Sequence, residues 1–315
     1  MSARRPLLAV DAPWVLYRAF FALPGSITGA DGRPVNALLG AANALLAAVG
    51  ELRPRAVAVC FGAEDAGYRT AAYPGYHAHR EPMPADLRHQ FGLAPELFAA
   101  FGWSVLDAGE LEADDLLGAL ARREAGAAGV EAVGAPTGAV AGESTLILTA
   151  DRDLYQAVSP ACSVVHLKGG ALERVDVAGV QDRYGIGPAL VPDLIALRGD
   201  PSDGIPGAPR IGAKTAASLL TRFGSLEGVL AAAADPDSRE LRPKLAETLR
   251  EHAARLRVFR EIATLQPVDV AAPPDGQLDP DAAAAVAHRL GMGQLARRLT
   301  DAARAAGVGG ETRTA

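Results

Sequence analysis

Three short apolar runs along the chain each end just before a polar or small residue. Leu7–Val10 precedes Asp11, Ala56–Phe61 precedes a glycine, and Thr145–Thr149 precedes Asp151 by one residue. Short continuous apolar runs are typical of parallel strands that are buried on both faces. Helical segments lie between them, so the pattern predicts an α/β fold with a mostly parallel sheet and flanking helices. Ligands bind beyond the carboxyl ends of such strands, which makes the polar residues there the first candidates for a site.

The segments between the runs differ in composition. Tyr68–Phe101 is rich in Tyr, His, Arg and Pro and lacks the aliphatic periodicity of a core element. It is therefore predicted to be an exposed, partly helical, arch-like excursion at residues 68–101. Leu111–Glu124 has a clear helical period. The Gly- and Ala-rich stretch at 126–144 has no period and is predicted to be a surface insertion.

Helical patterns dominate the last part of the chain, after a Gly- and Pro-rich hinge. Helices are predicted at about Arg239–Ala263 and Asp281–Arg304. This change of pattern predicts two domains, an α/β domain over residues 1–181 and an all-α domain over residues 182–305. Residues 306–315 are predicted to form a disordered tail.

Composition places the chain among ordinary globular proteins. Of its 315 residues, 49% are hydrophobic and 22% are charged. The formal net charge of −6 argues against a protein that coats nucleic acid through bulk positive charge. Local phosphate contacts remain compatible with this charge. Because the chain has few lysines, such contacts would come mostly from arginine, backbone N–H groups or helix amino ends.

The cysteines and the amino terminus bear on the cellular compartment. Cys60 and Cys162 each lie inside an apolar run, which suits small buried hydrophobes in a reducing compartment. The apolar run at Leu7–Val10 is broken by Asp11 and is too short for a signal peptide or a membrane span. We therefore expect a cytoplasmic protein with no membrane partner.

Eight acidic residues stand where strands end and helices begin, which is more than helix caps require. They are Asp11, Glu112, Asp114, Asp115, Asp151, Asp153, Asp200 and Asp203. Carboxylate oxygens are the ligands that Mg²⁺ and Mn²⁺ prefer, and two such ions about 3.5–4 Å apart can activate a water and stabilise a leaving oxygen. The set therefore indicates metal-dependent phosphoryl chemistry, and phosphodiester cleavage fits it.

Each acidic pair also has a purely structural interpretation. Acids at a helix start cap the backbone and favour the helix dipole, and Asp200 and Asp203 alone would indicate a turn. Two spacings favour a shared site. Glu112 and Asp115 lie three apart on one helix face, and an Asp-x-Asp pair just past a strand can direct both carboxylates to one place.

From about Leu7 to about Gln266 the chain resembles the 5′-nuclease domain of bacterial DNA polymerase I and its stand-alone relatives. Five motifs in order carry the resemblance: VDAPWVLYRAFFALP, YPGYHAHREPMPADLRHQ, LEADDLLGAL, LTADRDLYQAVS and LRGDPSDGIPGAPRIGAKTA. The resemblance implies a PIN-like 5′-nuclease fold followed by a helix-hairpin-helix domain. It also implies hydrolysis of DNA phosphodiester bonds near a free 5′ end, at flaps or nicks.

The same resemblance assigns roles to the acids and to one arginine. It implies that all eight acids hold Mg²⁺ or Mn²⁺, as two ions. The catalytic residues it implies are Asp11, Arg80, Glu112, Asp114, Asp115, Asp151 and Asp153. We expect a monomer that acts on DNA with a free 5′ end, a flap or a nick.

The chain departs from the family pattern at Gly62, where the family has a metal-site aspartate. One ligand is then missing, and Gly62→Asp would be expected to lower the metal concentration needed for activity. Glu64 and Asp65 follow closely and offer a replacement. The alternative is that both are solvated loop residues.

A second departure concerns the phosphate contacts. His77 stands where the family has a lysine, and Arg80 matches the family's arginine. A histidine is charged only part of the time at neutral pH, so its help would be weaker, and an exposed histidine with no role is an equal alternative. Tyr76 matches a tyrosine that stacks on a base in the family, with a core anchor as the alternative.

The segment at 205–224 resembles a helix-hairpin-helix, whose Gly-rich turn presents backbone N–H groups to phosphates. Gly207 and Gly212 stand where the motif expects them, followed by Lys214 and Thr215 as further DNA contacts. Arg210 replaces a usual glycine, which either adds a phosphate contact or distorts the turn.

The leading hypothesis is a stand-alone 5′-3′ exonuclease or 5′-flap endonuclease that uses two metal ions. The main rival is a catalytically weakened, structure-specific DNA-binding protein of the same family, because both departures touch the metal and phosphate contacts. A toxin-like PIN ribonuclease would share the acid-lined core but lack the helix-hairpin-helix and be much shorter.

Overall fold

The computed structural model describes residues 4–127, 143–237, 239–276 and 278–311, and from residue 305 onward it describes the backbone alone. The predicted insertion at 126–144 lies almost entirely outside these residues.

Six strands are present in the described part of the chain. They are β1 (Leu7–Asp11), β2 (Ala56–Phe61), β3 (Ser104–Asp107), β4 (Thr145–Leu148), β5 (Cys162–Lys168) and β6 (Ala171–Val175).

The α-helices, again within the described ranges, are numbered in chain order. They are α1 (Ala12–Ala22), α2 (Asn36–Leu52), α3 (Gly67–Ala72), α4 (Ala85–Ala100), α5 (Ala113–Ala127), α6 (Val177–Tyr184), α7 (Val191–Arg198), α8 (Ala213–Phe223), α9 (Leu226–Ala234), α10 (Pro243–Ala263), α11 (Pro280–Arg289) and α12 (Gly293–Glu311). Short 3₁₀ helices cover Asp153–Ala157 and Pro188–Leu190.

The chain forms two compact units, and neither is a continuous segment. The first unit contains residues 1–61, 82–107 and 271–315, and the second contains residues 62–81 and 108–270. This division does not follow the predicted boundary at 181/182. The boundary between an α/β domain and an all-α domain stays a prediction.

In the first unit, β1, β2 and β3 pair in the order β3-β2-β1, and both pairings are parallel. All residues of β1 and β2 are buried, as the continuous apolar runs predicted. The strand β3 is only four residues long and mostly half-buried. Its sequence, SVLD, has only two apolar residues, and this weak strand signal explains why β3 was not predicted.

In the second unit, β4 and β5 pair in parallel, and β5 and β6 pair antiparallel. The strand β4 was predicted, and it ends at Leu148 just before the acidic loop. The strands β5 and β6 were missed because they form a hairpin whose tip, Gly169 and Gly170, interrupts the apolar pattern.

The predicted excursion at 68–101 is exposed at residues 78–82 but not throughout, because one face of α4 is buried. In the first unit, α4 buries Leu87, Ala94, Leu97 and Phe98 on one face. Gln90 is fully buried and accepts hydrogen bonds from the backbone of Ala37 and Leu38. The buried face of α4 was not predicted because the segment is rich in polar residues. One of them, Gln90, is buried through hydrogen bonds and not through apolar contact.

The end of the chain also differs from expectation. The helix predicted at Asp281–Arg304 is two helices, because Gly291 adopts a positive φ of 84° between α11 and α12. The helix α12 continues to Glu311, so residues 306–311 are helical and not a disordered tail. The alanine-rich sequence up to residue 306 favours this continuation. Residues 312–315 lie outside the described part of the chain. Over the described residues, no helix combines the length and the apolar character needed to cross a bilayer.

The helix-hairpin-helix segment of the second unit is built on two unusual backbone positions. Gly207 has φ +68°, and a Cβ there would lie 2.3 Å from the Gly199 nitrogen, so only glycine fits. Arg210 is exposed and has φ +64°. The turn still closes, since the Ile211 N–H donates to the Ala208 carbonyl at 3.1 Å. The arginine therefore does not prevent the turn but strains it.

We predict that Arg210→Gly raises the free energy of unfolding by about 1 kcal/mol, because a non-glycine residue in the left-handed region carries that cost. Urea unfolding of the full chain measures the change. Arg210→Ala is the matched control, since alanine keeps the strain but removes the charge. An equal gain in both variants would trace the effect to charge and contradict the strain argument.

Candidate functional site

A buried arginine stands at the centre of the second unit's polar core. The Arg69 side chain is only 4% exposed, and its guanidinium pairs with Glu112 and, at 2.8 Å, with Asp115. Burial would lower the pKa of Arg69, but Glu112, Tyr76 and Asp115 raise it above its ordinary value. The cation is therefore permanent, and it binds two of the predicted metal-site acids.

Protein donors reach every carboxylate oxygen of these two acids. Glu112 accepts from the Ala66 N–H at 2.8 Å, from Arg69, and from the Tyr76 hydroxyl at 3.0 Å. Asp115 accepts from Arg69, from the Gln266 N–H at 2.8 Å and from the Glu112 N–H at 3.3 Å. Both residues thus join α3, the start of α5 and the end of α10. Their shared helix face was predicted, and the arginine between them was not.

Tyr76 and His77 are both buried. The two rings stack with centroids 3.8 Å apart, and Tyr76 is 5% exposed and His77 6% exposed. The hydroxyl of Tyr76 is used by Glu112. This geometry favours the core-anchor interpretation of Tyr76, and it excludes the interpretation of His77 as an exposed histidine.

Both ring nitrogens of His77 face carboxylates. Its Nδ1 lies 2.5 Å from Asp65 and its Nε2 lies 3.2 Å from Asp203. The His77 N–H also donates to the Asp203 carbonyl at 3.0 Å. The His77 ring therefore lies between the carboxylates of Asp65 and Asp203 and contacts both.

Arg80 also lies at Asp203, with Nη2 3.2 Å from the carboxylate. Its side chain is 46% exposed, so it keeps donors for a ligand. Burial would raise the pKa of Asp203, but the hydrogen bond from His77 and the nearby positive charges hold it below its ordinary value. Asp203 is therefore ionised at neutral pH.

The acids after β4 lie in a short loop closed by its own hydrogen bonds. The Asp151 N–H donates to the Thr149 hydroxyl at 3.0 Å, and the Asp153 N–H donates to the Asp151 carboxylate at 2.8 Å. Such an Asp turn places both carboxylates just beyond the carboxyl end of the strand. Asp153 begins the 3₁₀ helix.

Asp200 lies in the loop after α7. Its carboxylate accepts from the Ser202 N–H at 2.9 Å, from the Ser202 hydroxyl, and from Arg198 at 3.2 Å. Asp200 thus shapes a turn, as its structural interpretation proposed. It is also one of the acids whose charge acts on Asp153.

The charges of four other acids in the second unit act on Asp153. Burial and then the charges of the neighbouring acids raise the pKa of Asp153 well above its ordinary value. Those neighbours are Asp151, Asp203, Asp200 and Asp114. Mutual repulsion of this kind is what a divalent cation relieves, so the donor set fits a hard metal ion. Among the described residues, no three His, Cys, Asp or Glu side chains already enclose a point where an ion would sit.

Gly62 is fixed by packing. A Cβ at this position would lie 2.5 Å from the Leu111 carbonyl oxygen and 2.6 Å from the Ala113 nitrogen. The next residue, Ala63, donates its N–H to the same carbonyl at 2.8 Å. The backbone that carries Glu112 therefore occupies the space of the family's aspartate side chain. The departure is a change of packing and not merely a missing ligand.

Asp11 belongs to the first unit. It is 5% exposed, and its carboxylate accepts the Trp14 N–H at 2.9 Å as the N-cap of α1. Asp11 therefore caps α1. The metal-binding role implied by the resemblance stays a prediction.

The predicted DNA contacts of the hairpin lie at the start of α8. Gly212 is its N-cap residue, and Lys214 and Thr215 are exposed in its first turn. Gly207 is buried in the turn, and Arg210 is exposed beside it. The segment thus presents two cationic side chains and the free N–H groups of a helix start on one loop.

Two family models cover most of the chain. A model of the N-terminal resolvase-like domain of 5′-3′ exonucleases matches residues 6–185, and a model of their C-terminal SAM fold matches residues 186–277. The chain belongs to the 5′-3′ exonuclease family. The family predicted from the five motifs is confirmed, and so is the class of enzyme, a nuclease.

Curated relatives of this 5′-3′ exonuclease family member extend over nearly its whole length. A 5′-3′ exonuclease of Mycobacterium tuberculosis is 35% identical over 95% of this chain and 98% of its own. One of Streptomyces coelicolor is 35% identical over 93% and 98%. The thermostable DNA polymerase I of Thermus thermophilus is 36% identical over 92% of this chain, which spans 32% of that polymerase.

Solved structures share the fold at low sequence identity. The bacteriophage T5 D15 flap endonuclease, in a complex with DNA and metal ions, superposes with a TM-score of 0.63 at 14–15% identity, covering 94% of this chain and 98% of that one. The catalytic core of Rad2 with a DNA substrate gives 0.61 at 14% identity over 95% and 92%. The predicted fold class, mostly parallel strands with flanking helices followed by a helical domain, is confirmed.

Sequence reasoning missed Arg69. The arginine sits in YRTAAYPGY, where polar composition suggested exposure. The sequence carried no clear signal for it, because the burial of Glu112 and Asp115, which calls for a cation such as arginine, is known only from the fold.

We predict that Arg69→Met lowers the free energy of unfolding by about 3–5 kcal/mol, because it leaves Glu112 and Asp115 buried without their cation. Asp115→Asn should destabilise the chain through the same pair, so the double variant should lose less than the sum of the two. Urea unfolding measures all three. Arg257→Met, which breaks an exposed pair with Glu227, is the control and should stay near wild-type stability. Additive losses would show that Arg69 and Asp115 are not coupled.

We also predict that Gly62→Asp does not lower the metal concentration needed for activity, which reverses the expectation from the sequence. The new side chain would displace the backbone at Leu111 and Ala113 and cost about 1–3 kcal/mol of stability. Gly62→Ala should show the same loss. Gly67→Ala, at a glycine with open space around its Cβ position, should not. A lower metal requirement in Gly62→Asp would restore the missing-ligand interpretation.

Proposed function

We propose that this 5′-3′ exonuclease family member hydrolyses phosphodiester bonds of DNA near a free 5′ end, at flaps or nicks, with divalent metal ions. The observation that carries the proposal is the charge cluster of five acids around Asp153 in the second unit. Relatives named 5′-3′ exonuclease and neighbours solved with DNA and metal ions support the choice of reaction and substrate.

The metal-holding residues of the proposal are those whose charges act on one another. They are Asp114, Asp151, Asp153, Asp200 and Asp203. When bound, Mg²⁺ or Mn²⁺, proposed as two ions, would supply activation of a water and neutralisation of the leaving oxygen. Asp11 is added to the set by the family resemblance alone.

Glu112 and Asp115 have a different part in the proposal. Because protein donors reach all their oxygens, they are proposed to act mainly by holding Arg69 and Tyr76 in place. Arg80, with its half-exposed guanidinium beside Asp203, is proposed to bind the negative charge of the reacting phosphate. His77 is proposed to position Asp203, since both its nitrogens already face carboxylates.

The hairpin at the start of α8 is proposed to hold the duplex. Helix-start N–H groups and the exposed Arg210 and Lys214 suit phosphates without reading sequence. A protein with a net charge of −6 binds DNA through such local contacts and not through its overall field.

A second candidate is a DNA-binding protein of the same family with weakened catalysis. Two observations favour this candidate. The packing at Gly62 leaves no space for the family's aspartate side chain. Both ring nitrogens of His77 face carboxylates of the protein and not a phosphate.

We predict Mg²⁺- or Mn²⁺-dependent cleavage of 5′-labelled flapped or nicked DNA, and a loss of at least about 100-fold in Asp153→Asn, because that variant removes one ligand charge. Without metal, the same variant should unfold at higher urea than the wild type. A carboxyl whose pKa is raised on folding destabilises the chain at pH values above it, and asparagine removes that repulsion.

Two outcomes separate the candidates. DNA binding without cleavage, with either metal and on flap, nick and blunt substrates, would favour the weakened protein. Full activity in Asp153→Asn would remove the charge cluster from the reaction.

A further inference from the structure

His166 lies on β5 between the two ends of the acidic loop. Its Nδ1 is 2.7 Å from the Thr149 carbonyl oxygen, and its Nε2 is 2.6 Å from the Tyr155 hydroxyl. Thr149 immediately follows β4, and Tyr155 lies in the 3₁₀ helix that Asp153 begins. One imidazole ring therefore bridges Thr149, two residues before Asp151, and Tyr155, two residues after Asp153.

We propose that His166 and Tyr155 are positioning residues that hold Asp151 and Asp153 in place for metal binding. Neither residue is assigned a role by the family motifs, and His166 lies outside all five of them. The proposal deepens the proposed function and rests on it, since it names what fixes the two acids on which that function depends.

With a neutral imidazole ring, the bridge has one consistent hydrogen-bonding state. A carbonyl oxygen can only accept, so Nδ1 carries the proton, and Nε2 then accepts from the Tyr155 hydroxyl. Burial lowers the pKa of His166, which favours this neutral ring at neutral pH.

The loop needs an anchor of this kind because its own hydrogen bonds are local. Thr149 binds Asp151, and Asp151 binds Asp153, so these bonds shape the turn without fixing it to the sheet. The turn carries two carboxylates, and repulsion between like charges acts to push it away from the other acids of the cluster. His166 opposes that movement, because β5 is paired with β4 on one side and with β6 on the other.

The position of the ring is fixed in turn by its surroundings. Thr149 is fully buried, and its N–H donates to the Val165 carbonyl at 3.2 Å, one residue before His166. Tyr155 is 2% exposed and lies edge-on to the imidazole with centroids 5.6 Å apart. The ring, the hydroxyl and the carbonyl thus have little freedom, which is what a positioning contact requires.

The test compares metal binding and activity in three variants of the full chain. Tyr155→Phe removes one hydroxyl, His166→Asn retains a donor near Nδ1, and His166→Leu removes both bonds. Calorimetric titration with Mg²⁺ and Mn²⁺ in the absence of DNA gives the metal affinity. Cleavage of a 5′-labelled flap against metal concentration separates the half-saturating concentration from the maximal rate.

We expect about a 10-fold weaker metal affinity in Tyr155→Phe and His166→Leu, with a smaller loss in His166→Asn, because outer contacts of ligand residues have effects of this size. The maximal rate at saturating metal should stay within about 2-fold of the wild type. Asp193→Ala is the control. This variant removes the buried carboxylate that binds the Leu226 N–H at the start of α9, and it should therefore destabilise the second unit. Because the change is not made in the acidic loop, the metal affinity of the variant should equal that of the wild type.

The outcomes are distinguishable. Unchanged metal affinity in Tyr155→Phe and His166→Leu, with a wild type that binds metal, would overturn the proposal, and so would an equal loss in Asp193→Ala. If His166→Leu does not fold, Tyr155→Phe decides the matter. A wild type that neither binds metal nor cleaves would refute the proposed function itself. In that case ¹⁵N spectra of His166 would still test the bridge, because an unprotonated Nδ1 could not bind the Thr149 carbonyl oxygen and would contradict it.

Discussion

The Arg69 guanidinium is the contact on which the polar core of the second unit depends. It is buried, it binds two carboxylates at once, and those carboxylates also bind the backbone at Ala66 and Gln266. A buried charge is tolerated only when it is paired and hydrogen-bonded. Here the pairing joins α3, α5 and the end of α10, so the ion pairs determine how these elements pack. Chain segments separated by about 150 residues in sequence meet at Asp115.

This arrangement divides the acids of the second unit into two electrostatic classes. Glu112 and Asp115 are satisfied by Arg69 and by N–H and O–H donors, whereas Asp153 is surrounded by other carboxylates and has a raised pKa. The first class stabilises the folded chain. Asp153, in contrast, destabilises the folded chain at pH values above its pKa, because folding raises that pKa. The same residue type thus has opposite energetic consequences depending on whether its neighbours are cationic.

Much of this could be predicted from the sequence, and the limits are physical. The buried strands β1, β2 and β4 were found because burial on both faces leaves a continuous apolar run. The acids were found because they stand where predicted strands end and helices begin, and the family resemblance then assigned their roles. Arg69, Gln90 and His166 were not found, since each is buried through polar contacts with residues far along the chain. A buried polar side chain has no periodic signature, because its environment is made by partners that only the fold brings together.

The two departures from the family pattern illustrate the same limit. At Gly62 the sequence indicates a lost ligand, but the backbone of Leu111 and Ala113 fills the space that a side chain would need. At His77 the sequence indicates a weakened phosphate contact, but the ring is buried and faces Asp65 and Asp203. In both places a residue that contacts ligand in the family pattern has become one that contacts the protein. The loops around the acids are therefore tied together more closely by protein contacts than a ligand-by-ligand comparison would indicate.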